Sequence, residues 1–418
     1  MRLKDIAKRE IVKLYAKRYI DRIDSKQRKE PSAKNEMNRY LATTILDGMK
    51  AKRPVIWTTY TFPTELITAY SLIPYFSETG SAVISSLGYA GGALEVTERL
   101  GYGRESCTYH RATMGAAFEG FLPVPDILVG CSHLCDGQGK MMESMADHYG
   151  KPWFLLDVPY YLSEDSVTYV RDQLEEIEKA IAGICGGRVG IERLREVIDT
   201  SNRTREAMIR VNQLRQSIPC PMHGRWAFGF IFQALLGMGS MEVLGIYENL
   251  VSELEGRLRE GGHAEQEYRI LWLLAYPYFK HSFVDYMENE FGLYAVADEM
   301  SHVYWDEMEV KDPLRSLAKK TLQNHGLGEV SRRVEVAVKL ATSYSVDGAI
   351  HYSHFGCRQG CGGVNALREG LEESGVPLLV LDGDCIDDRN YSDSQVRTRL
   401  EGFCEMLAAR RLDAVFGS

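Results

Sequence analysis

The sequence predicts an α/β protein with two parallel-sheet domains, and three observations support this class. Residues 346–388 have the order strand, glycine-rich turn, helix and strand, which is the βαβ unit of a parallel sheet. Residues 126–157 repeat that order, with a Cys-x3-Cys turn, a helix, a Gly-x-Pro break and an apolar strand that ends in Asp. Residues 165–255 show long amphipathic helical patterns instead. We therefore expect two Rossmann-like/flavodoxin-like domains joined by a helical bridge.

The chain divides in order into four predicted segments. They are an N-terminal helical segment at 1–50, a first α/β domain at 51–164, a helical bridge at 165–262 and a second α/β domain at 263–418. For the amphipathic first segment we expect packing on the body of the protein, and the alternative is an anchor on an anionic membrane. The two α/β domains open with similar apolar strands, at Pro54–Thr59 and Tyr268–Leu274.

Composition and charge are those of an ordinary globular protein and exclude several function classes. The 418 residues are 45% apolar and 26% charged, which allows more than one domain with a sizeable core. A net charge of −9 and no long Lys/Arg block exclude nucleic acid as a main partner. No apolar run is long enough to span a membrane, and the basic, amphipathic stretch at residues 1–30 lacks the apolar core of a secretory signal, so we expect none there. We expect a cytoplasmic protein whose reduced thiols are available to a metal.

Six of the nine cysteines lie at predicted strand ends or glycine-rich turns. They form two Cys-x3-Cys turns and two further cysteines, one before the first turn and one, equally far away, after the second. This mirrored arrangement predicts that all six bind one metal centre. The six are Cys107, Cys131, Cys135, Cys357, Cys361 and Cys385. We expect no metal at the other three, which are Cys185, Cys220 and Cys404.

Three kinds of chemistry compete for these thiols. A zinc site closes with four ligands, so one built on the two turns leaves Cys107 and Cys385 without a role. Buried apolar cysteines explain any one of the six but not the mirrored pattern. Iron–sulfur clusters accept fewer than four protein ligands per cubane, and six thiolates suit two cubanes with three each. We favour iron–sulfur, and such an anionic assembly predicts a very low reduction potential.

Polar side chains that could donate a proton lie beside these cysteines in the sequence. They are His110, Arg111, His133, His354, Arg358 and Gln359. We take His110, His354 and Arg358 as the candidate catalytic residues because they lie close in sequence to the predicted ligands. The alternative role for each is a hydrogen bond that orients a loop or neutralises cluster charge.

The same residues resemble those of a known family over most of the chain. The matching pieces are Cys107 before a helix, Cys135-Asp136 after a strand, Leu156–Pro159, Cys357-Arg358, and Leu381–Asp384 followed by Gln395–Phe403. The family is that of the 2-hydroxyacyl-CoA dehydratases and benzoyl-CoA reductases, whose members supply about three cysteines per subunit to one [4Fe-4S] cluster. With Cys131, Cys361 and Cys385 in addition, the chain is more similar to the double-cubane cluster proteins, a branch that binds an [8Fe-9S] cluster.

The resemblance implies an enzyme, an iron–sulfur oxidoreductase component that uses a double-cubane cluster to reduce a small-molecule substrate. It also implies a homodimer, an anaerobic setting, and electron transfer from a separate ATP-hydrolysing activator protein that carries its own iron–sulfur cluster. The sequence has neither a P-loop Lys nor a dinucleotide fingerprint, so we expect ATP to be hydrolysed by such a partner. Two alternatives stay open: a single [4Fe-4S] 2-hydroxyacyl-CoA dehydratase subunit, and a non-catalytic electron-storage or zinc-bound structural protein.

Overall fold

Two parallel sheets with helices around them form the frame of the molecule in the computed structural model. The structure describes residues 3–261, 266–280 and 283–416. The strands are β1 (Val55–Thr58), β2 (Ile73–Phe76), β3 (Ile127–Cys131), β4 (Trp153–Leu156), β5 (Tyr268–Leu273), β6 (Leu293–Asp298), β7 (Gly348–His354) and β8 (Leu378–Gly383). The helices are α1 (Leu3–Lys29), α2 (Ala33–Met49), α3 (Glu65–Ala69), α4 (Ser77–Ser86), α5 (Ala90–Arg99), α6 (Thr108–Phe118), α7 (Asp136–Tyr149), α8 (Glu164–Cys185), α9 (Ile191–Arg215), α10 (Gly224–Leu235), α11 (Met241–Glu260), α12 (Phe283–Asn289), α13 (Pro313–Leu322), α14 (Val330–Ser343), α15 (Arg358–Gly362), α16 (Val364–Glu373) and α17 (Asp393–Phe416).

The described strands form two four-stranded sheets with the same strand order. The first sheet runs β2-β1-β3-β4 and the second β6-β5-β7-β8, and every neighbouring pair is parallel. The repeat predicted from the sequence corresponds to β3-α7-β4 in the first sheet and to β7-α16-β8 in the second. The prediction of two Rossmann-like sheets is therefore confirmed, and the two halves share a topology as well as a motif.

The central strands are continuous apolar runs because both of their faces are covered. Every residue of β1, β3, β5 and β7 is buried, as expected for parallel sheets with helices on each side. Trp57 in β1 and Trp272 in β5 are completely buried. The strands predicted from apolar runs therefore lie where the sequence placed them, within a residue or two at each end.

The region predicted as a helical bridge consists of long helices with a core of their own. α8, α9, α10 and α11 lie between β4 and β5 along the chain. Side chains of α2, α9, α10 and α11 pack together, among them Met37, Met208, Phe230 and Tyr247. α10 packs on β6 and α8 on β4, and α10 and α11 also pack on α2 of the N-terminal segment.

Helices from each half of the chain also contribute to the core of the other half. Leu317 of α13, which follows β6, packs in the core of the first sheet. Leu94 of α5 and Ala112 of α6, which precede β3, pack in the core of the second sheet. A buried ion pair joins Lys320 of α13 to Glu65 of α3, with 2.5 Å between Nζ and Oε1. The domain limits predicted at residues 50, 164 and 262 stay predictions.

The N-terminal helices lie on the body of the protein. α2 buries Met37 and Leu46 among its neighbours. α1 packs on α2, and its Lys8 pairs with Glu119 at the end of α6 and lies 5.2 Å from the centre of the Phe121 ring. Among the helices that the structure describes, none combines the length and the apolar composition needed to cross a membrane.

Candidate functional site

The carboxyl ends of both sheets border one cavity of about 340 Å³. Its wall includes Tyr60 and Cys135, which follow β1 and β3, and Leu274, Glu299 and Cys357, which follow β5, β6 and β7. Open α/β sheets bind ligands at this edge of the sheet. Because two such edges meet here, the cavity is the candidate functional site.

Three of the predicted metal-binding thiols lie in the wall of this cavity. Cys107, Cys135 and Cys357 are the N-cap residues of α6, α7 and α15. Near each thiol, the backbone N–H groups two and three residues later in the chain offset part of the rise in pKa that burial causes. For Cys357 the donor three residues later is Gly360 N, which lies 3.3 Å from Sγ. A cysteine at a helix N-cap position therefore occurs three times around one cavity, and the N–H groups at the start of a helix favour negative charge on sulfur.

The charges of these thiols call for a positive group between them. Burial raises the pKa of Cys107 well above its usual value, and the neighbouring Cys357 and Cys135 raise it further. Burial also raises the pKa of Cys135 and of Cys357. Thiolates that lie close together repel each other unless a cation compensates them. A metal core supplies that compensation, so the donor set fits a thiolate-bound iron–sulfur cluster.

A closed single-ion site does not form from these donors. Within the described ranges, no three Cys, His, Asp or Glu side chains converge closely enough to hold one metal ion. The zinc alternative needs four such ligands at one point.

The side chain of His354 contacts one of the three thiols, that of Cys107. Its Nε2 lies 3.4 Å from Cys107 Sγ, and its Nδ1 accepts the backbone N–H of Cys385 at 3.0 Å. Because Nδ1 is an acceptor, the ring proton is on Nε2 and points to the sulfur. Burial lowers the pKa of His354, which keeps the ring neutral. The geometry matches the charge-moderating role considered for this residue, while the prediction of a catalytic His354 stays a prediction.

The other two candidate catalytic residues, His110 and Arg358, differ in burial. His110 is buried in the cavity wall, and burial lowers its pKa to about 4. The side chain of Arg358 is 80% exposed and pairs with Asp136, so it joins the turn after Cys357 to the turn after Cys135. Arg358 borders a second cavity of about 680 Å³, which shares Cys107, Cys135 and His110 with the inner one. Their catalytic roles stay predictions.

The remaining three predicted ligands do not line the inner cavity. Cys131 and Cys385 are completely buried in the cores of the first and second sheets. Cys361 lies in α15, with its Sγ 3.4 Å from the carbonyl oxygen of His354. Cys361 raises the pKa of Cys357, and Cys357 and Cys107 raise that of Cys385, so these thiols are neighbours of the first three. The prediction that all six bind metal stays a prediction.

The cysteines expected not to bind metal lie away from the cavity. Cys185 is exposed at the end of α8. Cys220 is buried and borders a different cavity, beside His223 and Trp226. Cys404 on α17 packs against the core of the second sheet.

A buried carboxyl in the wall was not among the residues chosen from the sequence. Glu78 lies in the first turn of α4, just after β2. It accepts hydrogen bonds from Ser77 Oγ at 2.9 Å and from Gln138 Nε2 of α7. Burial raises the pKa of Glu78 to about 7. The apolar run Ile73–Phe76, which is followed by Ser-Glu, was the available signal, because it has the strand-then-polar pattern of the other site loops.

An ion pair behind the third thiol was also missed. Arg333 of α14 binds both carboxylate oxygens of Glu299 and donates to the carbonyl oxygen of Gly360 at 2.9 Å. Gly360 in turn donates its N–H to Cys357. The nearby carboxylate and the thiols raise the pKa of Arg333, so it is a buried cation next to Cys357 and Cys361.

Comparisons with known proteins agree with this site. The family model of the 2-hydroxyglutaryl-CoA dehydratase D-component matches residues 59–407. The chain is 24% identical to the (R)-phenyllactyl-CoA dehydratase alpha subunit of Clostridium sporogenes, over 93% of this chain and 98% of that one. It is 26% identical to the (R)-2-hydroxyisocaproyl-CoA dehydratase alpha subunit of Clostridioides difficile, over 90% and 96%. It is 25% identical to a benzoyl-CoA reductase subunit of Thauera aromatica, over 84% and 88%.

The matched region contains the three thiols of the cavity, the buried carboxyl and seven of the eight described strands. The resemblance predicted from the sequence is therefore confirmed, and the chain belongs to the family of 2-hydroxyacyl-CoA dehydratase and benzoyl-CoA reductase subunits.

Proposed function

We propose that this chain is the iron–sulfur subunit of an enzyme that removes water from a 2-hydroxyacyl-CoA thioester. In this proposal Cys107, Cys135 and Cys357 bind one [4Fe-4S] cluster. The observation that carries it is the helix N-cap position that these three thiols share around one cavity. Three thiolates leave the fourth position of a cubane without a protein ligand, and the cavity has room for an acyl group beside them.

The chain's own residues supply binding and proton control. When bound, the cluster supplies one-electron chemistry to the substrate. The backbone N–H groups of α6, α7 and α15 and the Nε2–H of His354 moderate the negative charge at the ligand sulfurs. Glu78, with a pKa of about 7, holds a proton that a departing hydroxyl group needs to leave as water.

The relatives support this reaction and the partners that it needs. Two of them are named as dehydratase alpha subunits that act on 2-hydroxyacyl-CoA substrates, and we propose the same substrate class here. Because the relatives are named as subunits, we propose a second subunit for this chain as well. The proposed electron donor is a separate ATP-hydrolysing iron–sulfur activator.

A second candidate is a reductase with an [8Fe-9S] double cubane in a homodimer. The observation in its favour is that Cys361 and Cys385 are close enough to the cavity thiols to share pKa effects with them. Against it, Cys131 shows no such coupling to another thiol, and burial raises its pKa to about 12.

Iron and sulfide analysis of anaerobically purified cysteine variants separates the two candidates. We expect about four irons per chain, lost in Cys107→Ala, Cys135→Ala and Cys357→Ala. Cys131→Ala, Cys361→Ala and Cys385→Ala should keep them, as should the Cys185→Ala and Cys220→Ala controls. About eight irons, lost on changing any of the six, would establish the double cubane instead. Turnover of the same preparations should require activator and ATP, and equal turnover with dithionite alone would contradict the proposed electron donor.

A further inference from the structure

The inner cavity has walls that select one kind of acyl group. We infer that it binds an acyl chain that is apolar and bulky, either branched or aromatic, and that it discriminates against an acyl chain with a second carboxylate. This inference rests on the proposed function, because it assumes that an acyl-CoA thioester enters the cavity. It concerns the aromatic side chains of the wall and its Arg333–Glu299 ion pair, which the proposal leaves without a role.

Aromatic side chains form much of that wall. Phe232 on α10 lies 5.5 Å from Tyr60 and 4.9 Å from Phe228, measured between ring centres. Tyr109 and Tyr278, also in the wall, meet edge to face at 6.2 Å. Ring pairs at these separations attract each other, and a ligand ring or branched chain among them gains similar contacts. A short acyl chain would leave these faces without a partner.

The charges in the wall discriminate against a second carboxylate. Among the described residues of the wall, Arg333 is the one Lys or Arg. Its guanidinium is occupied by both carboxylate oxygens of Glu299 and by the carbonyl oxygen of Gly360. Glu78 adds a second carboxyl group on the other side of the cavity. A ligand carboxylate would lose its water here and face these carboxyl groups without a cation, which is unfavourable.

The histidines of the wall do not supply that cation. Burial lowers the pKa of His302 and of His110 to about 4, so both rings are neutral at neutral pH. His325 faces the existing carboxylate, with its Nε2 3.5 Å from Glu299 Oε1. His354 accepts a backbone N–H at Nδ1 and directs its Nε2 to Cys107. Each ring is therefore neutral or already directed at another group.

A few uncharged polar atoms remain for the thioester and hydroxyl groups of a ligand. Within the described structure, Gln138 Oε1, Gln233 Oε1 and His325 Nδ1 are buried and have no hydrogen-bond partner, and all three residues line the cavity. Buried polar atoms are nearly always paired, so these atoms are suited to a ligand with neutral polar groups. The wall also includes Ser86 on α4, which is exposed, so the cavity reaches the surface where a CoA carrier can extend.

Calorimetric binding to the anaerobically purified full chain tests the inference with unreactive saturated thioesters. The probes are 3-phenylpropanoyl-CoA, 4-methylpentanoyl-CoA, propanoyl-CoA and glutaryl-CoA, with free CoA as the reference. We expect the first two to bind at least about tenfold more tightly than the last two. If glutaryl-CoA or propanoyl-CoA binds as tightly as 3-phenylpropanoyl-CoA, the inference is wrong and the proposed function stands. If no thioester binds more tightly than free CoA, the proposed substrate class itself fails.

Two matched variants assign the preference to the wall. Gln233→Lys places a cation in the cavity and should narrow the gap between glutaryl-CoA and 3-phenylpropanoyl-CoA, whereas Gln233→Met, of similar size, should not. Phe232→Ala should weaken binding of 3-phenylpropanoyl-CoA more than binding of propanoyl-CoA. The control Tyr161→Ala removes an exposed ring that is not part of the cavity wall, and it should change the binding of neither 3-phenylpropanoyl-CoA nor propanoyl-CoA. An unchanged selectivity in both Gln233→Lys and Phe232→Ala, with native circular dichroism, would overturn the inference.

Discussion

At the scale of single residues, burial disfavours the charged form of the three thiols and of the carboxyl in the cavity wall. Burial raises the pKa of Cys107, Cys135 and Cys357, and nearby backbone N–H groups offset part of that rise. Glu78 is buried, and desolvation outweighs its hydrogen bonds from Ser77 and Gln138, so its pKa is raised to about 7. Near neutral pH it is therefore poised to give or take a proton.

The substitution Glu78→Gln should change the pH dependence of stability. The folded chain holds this proton up to about pH 7, whereas an ordinary Glu loses it near 4.5. Ionisation therefore opposes folding, and stability attributable to Glu78 falls as pH rises from 4.5 to 7, by on the order of 3 kcal/mol. Urea unfolding at about pH 5 and about pH 7.5 should show this loss in the wild type and a smaller loss in Glu78→Gln.

Activity provides a second readout of the same change. If Glu78 supplies the proton for the leaving hydroxyl, Glu78→Gln should lower turnover by roughly a hundredfold or more. The control is Glu143→Gln on α7, whose side chain is 46% exposed and pairs with Lys140. Glu143→Gln should alter neither the turnover nor the pH dependence of stability. If the free energy of unfolding changes equally with pH in the wild type and in Glu78→Gln, the Glu78 carboxyl ionises as an ordinary one.

At the scale of elements, the site depends on turns from both halves of the chain that support one another. Thr108 at the start of α6 donates to Asp384 after β8, with 2.6 Å between the oxygens. Gly356, in the turn between β7 and α15, has a φ of +78° and lies against the backbone of Cys107. The positions of Cys107 and Cys357 are therefore coupled through backbone contact.

The substitution Gly356→Ala should disturb this coupling. A Cβ there would lie 2.9 Å from Cys107 N and 3.0 Å from the carbonyl oxygen of Glu105, in addition to the cost of a positive φ. Gly375→Ala is the matched control, since its φ is +80° and a Cβ would meet nothing within 4 Å. We expect Gly375→Ala to cost about 1 kcal/mol and keep its iron, and Gly356→Ala to lose more stability and bind less iron. Equal iron content in both would contradict the coupling.

At the scale of the whole molecule, the two sheets are held by buried contacts between elements that are distant in sequence. Lys320 of α13 pairs with Glu65 of α3 and lies 4.5 Å from the centre of the Trp305 ring. Glu65 also accepts the hydroxyl of Ser201 from α9, at 2.7 Å. Elements that precede, form and follow the helical bridge therefore meet at one buried carboxylate.

Breaking this ion pair on one side should destabilise the protein strongly. Lys320→Met leaves the Glu65 carboxylate buried without its cation, which costs about 3–5 kcal/mol. The double variant Glu65→Gln/Lys320→Met removes that unpaired charge and should recover most of the loss. Breaking the exposed pair of Arg203 and Glu248 with Arg203→Ala should cost less than about 1 kcal/mol. Urea unfolding measures all three, and a double variant as unstable as Lys320→Met would rule out a charge effect.

The amino-acid sequence by itself determined the fold class, the central strands and the thiol-bearing turns. β1, β3, β5 and β7 could be predicted because strands buried on both faces are continuous apolar runs, a property of neighbouring residues. The repeat around Cys135 and Cys361 could be found in the sequence because each copy contains such an apolar run. The edge strands β2 and β6 were missed, and so was Glu78, because a short strand with one polar residue after it resembles many loops.

Only the tertiary structure decided which groups meet. The spacing of the six cysteines along the chain gave no reason to distinguish among them. In the structure, α6 packs against the second sheet, so Cys107 lies in the same cavity wall as Cys135 and Cys357. Cys131 and Cys385 lie instead in the cores of the first and second sheets. Contacts between residues hundreds of positions apart depend on how the two sheets face each other. The energies of these contacts depend on burial and charge in the folded arrangement. Local sequence patterns and periodicity do not predict that arrangement, because they describe only neighbouring residues.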